Sequence, residues 1–119
     1  MALAFKIIRF NGIEGSCQSQ TVNEESFKFD FPIRRDWNDH PIVDVALKYF
    51  DIEYLNGGQP LEYVVNRELA KVELEDSGHD SGTVKATVQI RPVNPAAAPS
   101  FGYRATIHAL VIADLMWPE

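Results

Sequence analysis

The sequence predicts an all-β protein, a six-stranded antiparallel β-sandwich formed as a single domain over residues 1–119. Two observations carry most of that expectation. Residues 26–31 alternate cleanly, with Phe27, Phe29 and Phe31 on one face and Ser26, Lys28 and Asp30 on the other, and residues 83–92 repeat the device with Val84, Ala86, Val88 and Ile90 against Lys85, Thr87, Gln89 and Arg91. Such a period of two marks a half-buried strand. The third observation is that Gly, Pro, Asn, Asp and Ser gather at short intervals along the chain, as they do between the strands of sandwiches.

Taken in order, residues 4–10 form a first strand, and Asn11-Gly12 and Gly15-Ser16 read as turns. Residues 26–31 are the second strand, followed by turn chemistry at Asn38-Asp39-His40-Pro41. Residues 42–55 place Val43, Val45, Leu47 and Tyr49 on one strand face, although Val45, Tyr49 and Ile52 also fit helical spacing. Residues 61–74 contain the good helix formers Arg67-Glu68-Leu69-Ala70-Lys71, flanked by Tyr63-Val64-Val65 and Val72-Glu73-Leu74. Strands are favoured in both places, because residues 56–60 suit a hairpin connection. The stretch 76–82 is a solvated turn, residues 83–92 the fifth strand, and the Pro-punctuated stretch 93–100 a projecting loop. Residues 103–115 close the fold as a central strand or one at a subunit contact, with Tyr103, Ala105, Ile107 and Ala109 opposite Arg104, Thr106, His108 and Asp114.

Seventeen acidic residues against eleven basic ones give a net charge of −6, and the basic residues are scattered. Phosphate backbones and anionic lipid need a concentrated positive field, so no nucleic-acid partner is expected. No apolar run approaches the roughly 20 residues of a membrane span, and residues 1–9 lack the charged and apolar regions of a secretory signal. A soluble chain without membrane insertion is expected, its compartment left open. Cys17 is the only cysteine, so neither an intrachain disulfide nor a multi-cysteine metal site can form.

Asp36-Trp37-Asn38-Asp39-His40 gathers two carboxylates, an amide, an imidazole and an indole. Oxygen ligands at alternate positions suit a hard cation, and an exposed Trp is a stacking surface for sugars. The run lacks the spacing and Gly of an EF-hand loop and is also ordinary turn chemistry, so no metal is expected, and Trp37 reads as a packing lid over the sandwich end or as part of a ligand site. Ser77-Gly78-His79-Asp80 holds the residue types of a catalytic triad, but a triad is assembled across a fold, not within one turn. With no P-loop, dinucleotide fingerprint, zincin motif or nucleophile elbow in the chain, no catalytic residue and no cofactor is expected.

From residue 8 to residue 115 the order of features resembles the H-type lectin domain, a small six-stranded sandwich. The resemblance runs through Ile7-Ile8-Arg9-Phe10-Asn11-Gly12, a loosely structured stretch at 14–25, and Phe27-Lys28-Phe29-Asp30-Phe31. It continues through Pro41-Ile42-Val43-Asp44-Val45-Ala46-Leu47, Phe50-Asp51, Asn66-Arg67, Gly82 and the apolar pair before alanine in Val111-Ile112-Ala113. It implies a homotrimer that binds galactose- or GalNAc-type glycans. The family's Trp before the last strand is replaced here by residues 93–103, where Phe101 or Tyr103 would offer the stacking surface. The expected ligand-binding residues are therefore Arg67, Asn94, Phe101 and Tyr103, joined across a subunit seam, with Trp37 as a further candidate. The rival expectation is a non-enzymatic structural or interaction module of a phage tail, secretion or surface assembly that keeps the sandwich without the sugar site.

Overall fold

In extended backbone every second side chain shares a face, and the computed structural model shows what those faces build. It describes residues 2–16, 20–56, 59–60, 65–92 and 101–116. These residues hold seven strands and no helix: β1 (Ala2–Ser16), β2 (Gln20–Lys28), β3 (Val43–Asn56), β4 (Gln59–Pro60), β5 (Val65–Ser77), β6 (Ser81–Pro92) and β7 (Phe101–Leu115). One sheet has the order β1-β7-β3-β4 and the other β2-β6-β5, and all pairings are antiparallel. β4 pairs only with Leu55 and Asn56. The six long strands thus make two three-stranded sheets, the all-β sandwich that the alternation predicts.

The core lies between the two central strands. Val84, Ala86, Val88 and Ile90 of β6 are fully buried, and facing them from β7 come Tyr103, Ala105, Ile107, Ala109, Val111 and Ala113. Phe10 and Ile13 of β1, Phe27 of β2, and Phe29 and Ile33 beyond it complete the cluster, with Phe27 and Phe29 meeting edge to face at 5.7 Å. The tyrosine hydroxyl crosses to the opposite sheet, 2.5 Å from the Thr21 hydroxyl and donating to the Val88 carbonyl at 3.3 Å, so its polar tip is satisfied inside the core. Gly15 lies against that hydroxyl with no room for a Cβ.

Several elements differ from the sequence expectation. β1 runs on through Asn11-Gly12, which forms a bulge rather than a turn: the register shifts between Phe10 and Ile13, and Gly12 takes a φ of 70°, which glycine adopts without a steric penalty. β2 begins at Gln20, inside the stretch read as loose, and ends at Lys28, although Phe29 is still buried in the core. A second bulge between Leu47 and Tyr49 turns Tyr49 to the outer face, where its ring lies 5.0 Å from that of His108; the pattern placing it with Val43 and Val45 fails there. The hairpin expected near residues 56–60 is present as the β3–β4 pairing. Cys17 and the stretch 93–100 lie outside the described residues.

The strands are long, 12 to 15 residues for five of the six, against a usual length of about 5–6. The molecule is accordingly a rod of 61 × 25 × 16 Å with a radius of gyration of 17.7 Å, where a compact chain of this length has about 13.5 Å. One end carries the start of β5, the finish of β6 and the start of β7; the other carries the start of β1, the β5–β6 turn and the finish of β7.

Candidate functional site

The rod sets Trp37 apart from the other expected site residues whose place is described. Arg67 lies in β5 opposite Arg91, and Phe101 opens β7 opposite Asn56, at the end of the rod where β6 finishes. Asn94 and the side chains of Arg67 and Phe101 lie outside the described residues. Tyr103 is 1% exposed, and its ring packs in the core, so it offers no stacking surface; its place on the inward face of β7, with Ala105 and Ile107, dictates this. Trp37 sits at the opposite end of the rod.

There the chain crosses between the sheets. Leaving β2, it is stitched to the β5–β6 turn by Phe29 N–H donating to Asp80 C=O and Ile33 N–H donating to His79 C=O, both at 2.8 Å. It then runs beside the end of β7, where Ile33 bridges Leu115, Arg34 N–H donates to Asp114 C=O and Met116 N–H donates to Pro32 C=O. From here a small hairpin leaves the sheet. Ile42 N–H donates to Arg34 C=O, Arg35 bridges Pro41, and Asp36 N–H donates to His40 C=O. Trp37, Asn38 and Asp39 form the tip.

Asp36 braces that tip with its side chain. Its carboxylate accepts the backbone N–H groups of Asn38 and His40, both at 2.9 Å, the local bonding that makes Asp a turn former. The bond from His40 above all, and that from Asn38, hold the Asp36 carboxyl below its usual range. Asp39 takes a φ of 65°, in the left-handed region that Asp tolerates better than most residues. The Arg35 guanidinium closes the turn by donating to the Asp39 carbonyl at 2.7 Å. Trp37 is left 92% exposed on this braced tip. It is not a packing lid: the hairpin carries the indole away from the sandwich, whose end is closed instead by Phe29 and Ile33.

Beside the hairpin base, a groove of about 460 Å³ opens on the end of the β1-β7-β3 sheet. Leu3, Ile42 and Ile112 give it an apolar floor, and Asp36, Asp44 and Asp114 bring three carboxylates to it. Asp114 is buried, accepts the Ala2 N–H at 3.1 Å and lies 3.7 Å from the Arg34 guanidinium. Asp44 accepts its own neighbour's N–H, that of Val45, at 2.8 Å. The volume falls in the range of small-molecule sites, about 300–1,000 Å³. An apolar floor with carboxylate acceptors can hold a neutral polyhydroxylated ligand, its hydroxyls donating to the carboxylates, and an exposed indole, here that of Trp37 next in sequence to Asp36, can stack on a C–H face. Among the described residues no three His, Cys, Asp or Glu side chains gather as a metal site. Asp36 is displaced downward, the wrong direction for the general acid of a glycosidase.

Of this arrangement, the sequence signals only the Asp36–His40 run; Asp44 and Asp114 are ordinary strand carboxylates until the register sets them beside the hairpin. No family model matches the chain, and neither a curated protein nor a solved structure matches it.

Proposed function

We propose that this protein is a carbohydrate-binding, H-type-lectin-like module that works as a multivalent homo-oligomer, with its sugar site at the Trp37 hairpin and the adjoining groove. The observation that carries this reading is the exposed indole on a tip braced by Asp36. An aromatic side chain normally hides its area, and a rigid turn presenting one beside carboxylate acceptors provides both elements of sugar recognition, a platform and fixed hydrogen-bonding groups. The acidic rim disfavours anionic sugars and leaves neutral galactose- or GalNAc-type glycans as the expected class. A single open site binds weakly, and linking several copies raises the avidity.

A glycan array read with the wild-type protein and with Trp37→Ala tests this. Binding to neutral glycans that disappears in the variant is expected, with thermal stability unchanged because the indole touches little of the fold. An array on which the two proteins behave alike would contradict it.

A specific observation favours a second reading, a structural or interaction module without a sugar site: one outer face of the sandwich is apolar. Leu3, Phe5 and Ile7 of β1 stand exposed there beside Leu110 and Ile112 of β7. The face itself serves the first reading too, since oligomerisation through such a face is what multivalency requires.

A further inference from the structure

The two outer faces of the sandwich differ in kind. On the β2-β6-β5 sheet, Glu24, Lys85 and Glu73 lie in register, followed by Val22, Thr87 and Lys71. Charges of alternating sign cross that sheet, with Lys71 and Glu73 paired at 2.7 Å, as on a face that meets water. The outer face of the β1-β7-β3 sheet is apolar at the corresponding depth. Its rows, read from the register, are Phe5, Ile112 and Asp44, then Ile7, Leu110 and Ala46, then Arg9, His108 and Tyr49. Leu3 is 55% exposed, Phe5 60% and Ile7 39%.

We infer that this face docks a second copy of the chain, in a two-fold pair with the strands of the two copies antiparallel. Two properties of the face specify that occupant. The first is area: at about 4.8 Å between strands and about 3.4 Å per residue, the three rows from Leu3 to Ile7 cover about 300 Å². That is the apolar centre of a standard interface, which takes about 800 Å² from each partner and is ringed by polar groups. The rim is present in the rows beyond, where Arg104 holds Glu53 at 2.6 Å. The second is charge. The face carries Arg9 at one limit of the apolar rows and Asp44 and Asp114 at the other, where Arg34 already lies 3.7 Å from Asp114. Turning one copy end for end stacks apolar row on apolar row and sets the Arg9 row of each copy against the Asp44 end of the other. A closed two-fold contact needs just such a self-complementary patch.

The inference stands on this face and not on sugar binding, and its test uses no sugar. Sedimentation equilibrium of the full chain at micromolar concentration is expected to give the mass of two chains. Phe5→Glu and Ile7→Glu, on side chains exposed in the single chain, are expected to give one chain with an unchanged far-UV circular dichroism spectrum and melting temperature. Arg9→Glu is expected to weaken the pair at low salt, an effect that fades as salt is raised. A wild type that stays at one chain, a mass of three chains, or a pair indifferent to Phe5→Glu would each overturn the proposal.

Discussion

Asp36 fixes the orientation of Trp37 through two backbone N–H groups, and this sets the pH at which the indole loses its support. Hydrogen bonds to the ionised carboxylate hold its titration below the ordinary 3.8. A carboxyl held low in the folded state adds stability that is present above the ordinary value and lost as pH falls through the lowered one. The Asn38 amide resonance should therefore keep its hydrogen-bonded position down to about pH 4 and move below it; an Asn38 amide that does not move below about pH 4 would contradict the brace. At Tyr103 the relevant bond is buried. Tyr103→Phe leaves Thr21 and the Val88 carbonyl without the hydroxyl and should cost about 1 kcal/mol in urea unfolding, with the Trp37 hairpin untouched. The alternation of residues 103–109 makes the place of Tyr103 beside Ala105, Ile107 and Ala109 legible, but its burial, against the stacking surface expected of it, comes from the opposite sheet. The exposure of Trp37 is not legible either: the turn chemistry at residues 38–41 marks a turn, but the projection of the tip depends on Arg34 and Ile42 meeting across the hairpin.

Among the elements, the central strands are the most legible. Both β6 and β7 have neighbours on each side, and the alternating sets Val84, Ala86, Val88, Ile90 and Tyr103, Ala105, Ile107, Ala109 are buried; only Thr87 and Asp114, on the outer faces, are buried out of step among the described residues of these two strands. Edge strands are harder to read. β1 carries apolar residues on both faces, and its bulge at Asn11-Gly12 has the composition of a turn while the pairing with β7 continues beyond it. In β3 the bulge before Tyr49 shifts every later side chain to the other face, which is how a one-residue irregularity defeats a period-two reading. Bulges of this kind also blunt an exposed edge, as does the inward Lys6, whose ammonium lies 5.6 Å from the Phe29 ring centre. The β5–β6 turn is tightly fitted: a Cβ on Gly82 would meet the Asp76 carbonyl and the Phe27 ring, the latter at 2.7 Å. Gly82→Ala should destabilise the fold by about 1–3 kcal/mol, the usual cost of overpacking, measured by thermal unfolding.

For the whole molecule, length and thinness determine what one copy can do. A rod 61 Å long keeps its two ends too far apart to share a ligand, so Arg67 and Phe101 at one end and Trp37 at the other cannot close around a single sugar within one chain. Linear order does not reveal this, since strand lengths of 14 and 15 residues emerge only once β1 and β3 pair with β7 along their full extent. The same thinness leaves one sheet face apolar and outward, and a paired rod buries it. The resemblance to the H-type lectin layout implies three copies, the face itself implies two, and the mass in solution separates them.

The central claim is that the Trp37 hairpin and its groove receive a neutral sugar, and titration of the isotope-labelled protein with galactose and GalNAc, followed by NMR, tests it most directly. Saturable shifts are expected in the Trp37 indole N–H and in the Asn38, His40 and Asp44 amides, with the far end of the rod silent. Resonances that do not move at millimolar sugar, or shifts confined to the end where β7 begins, would contradict it.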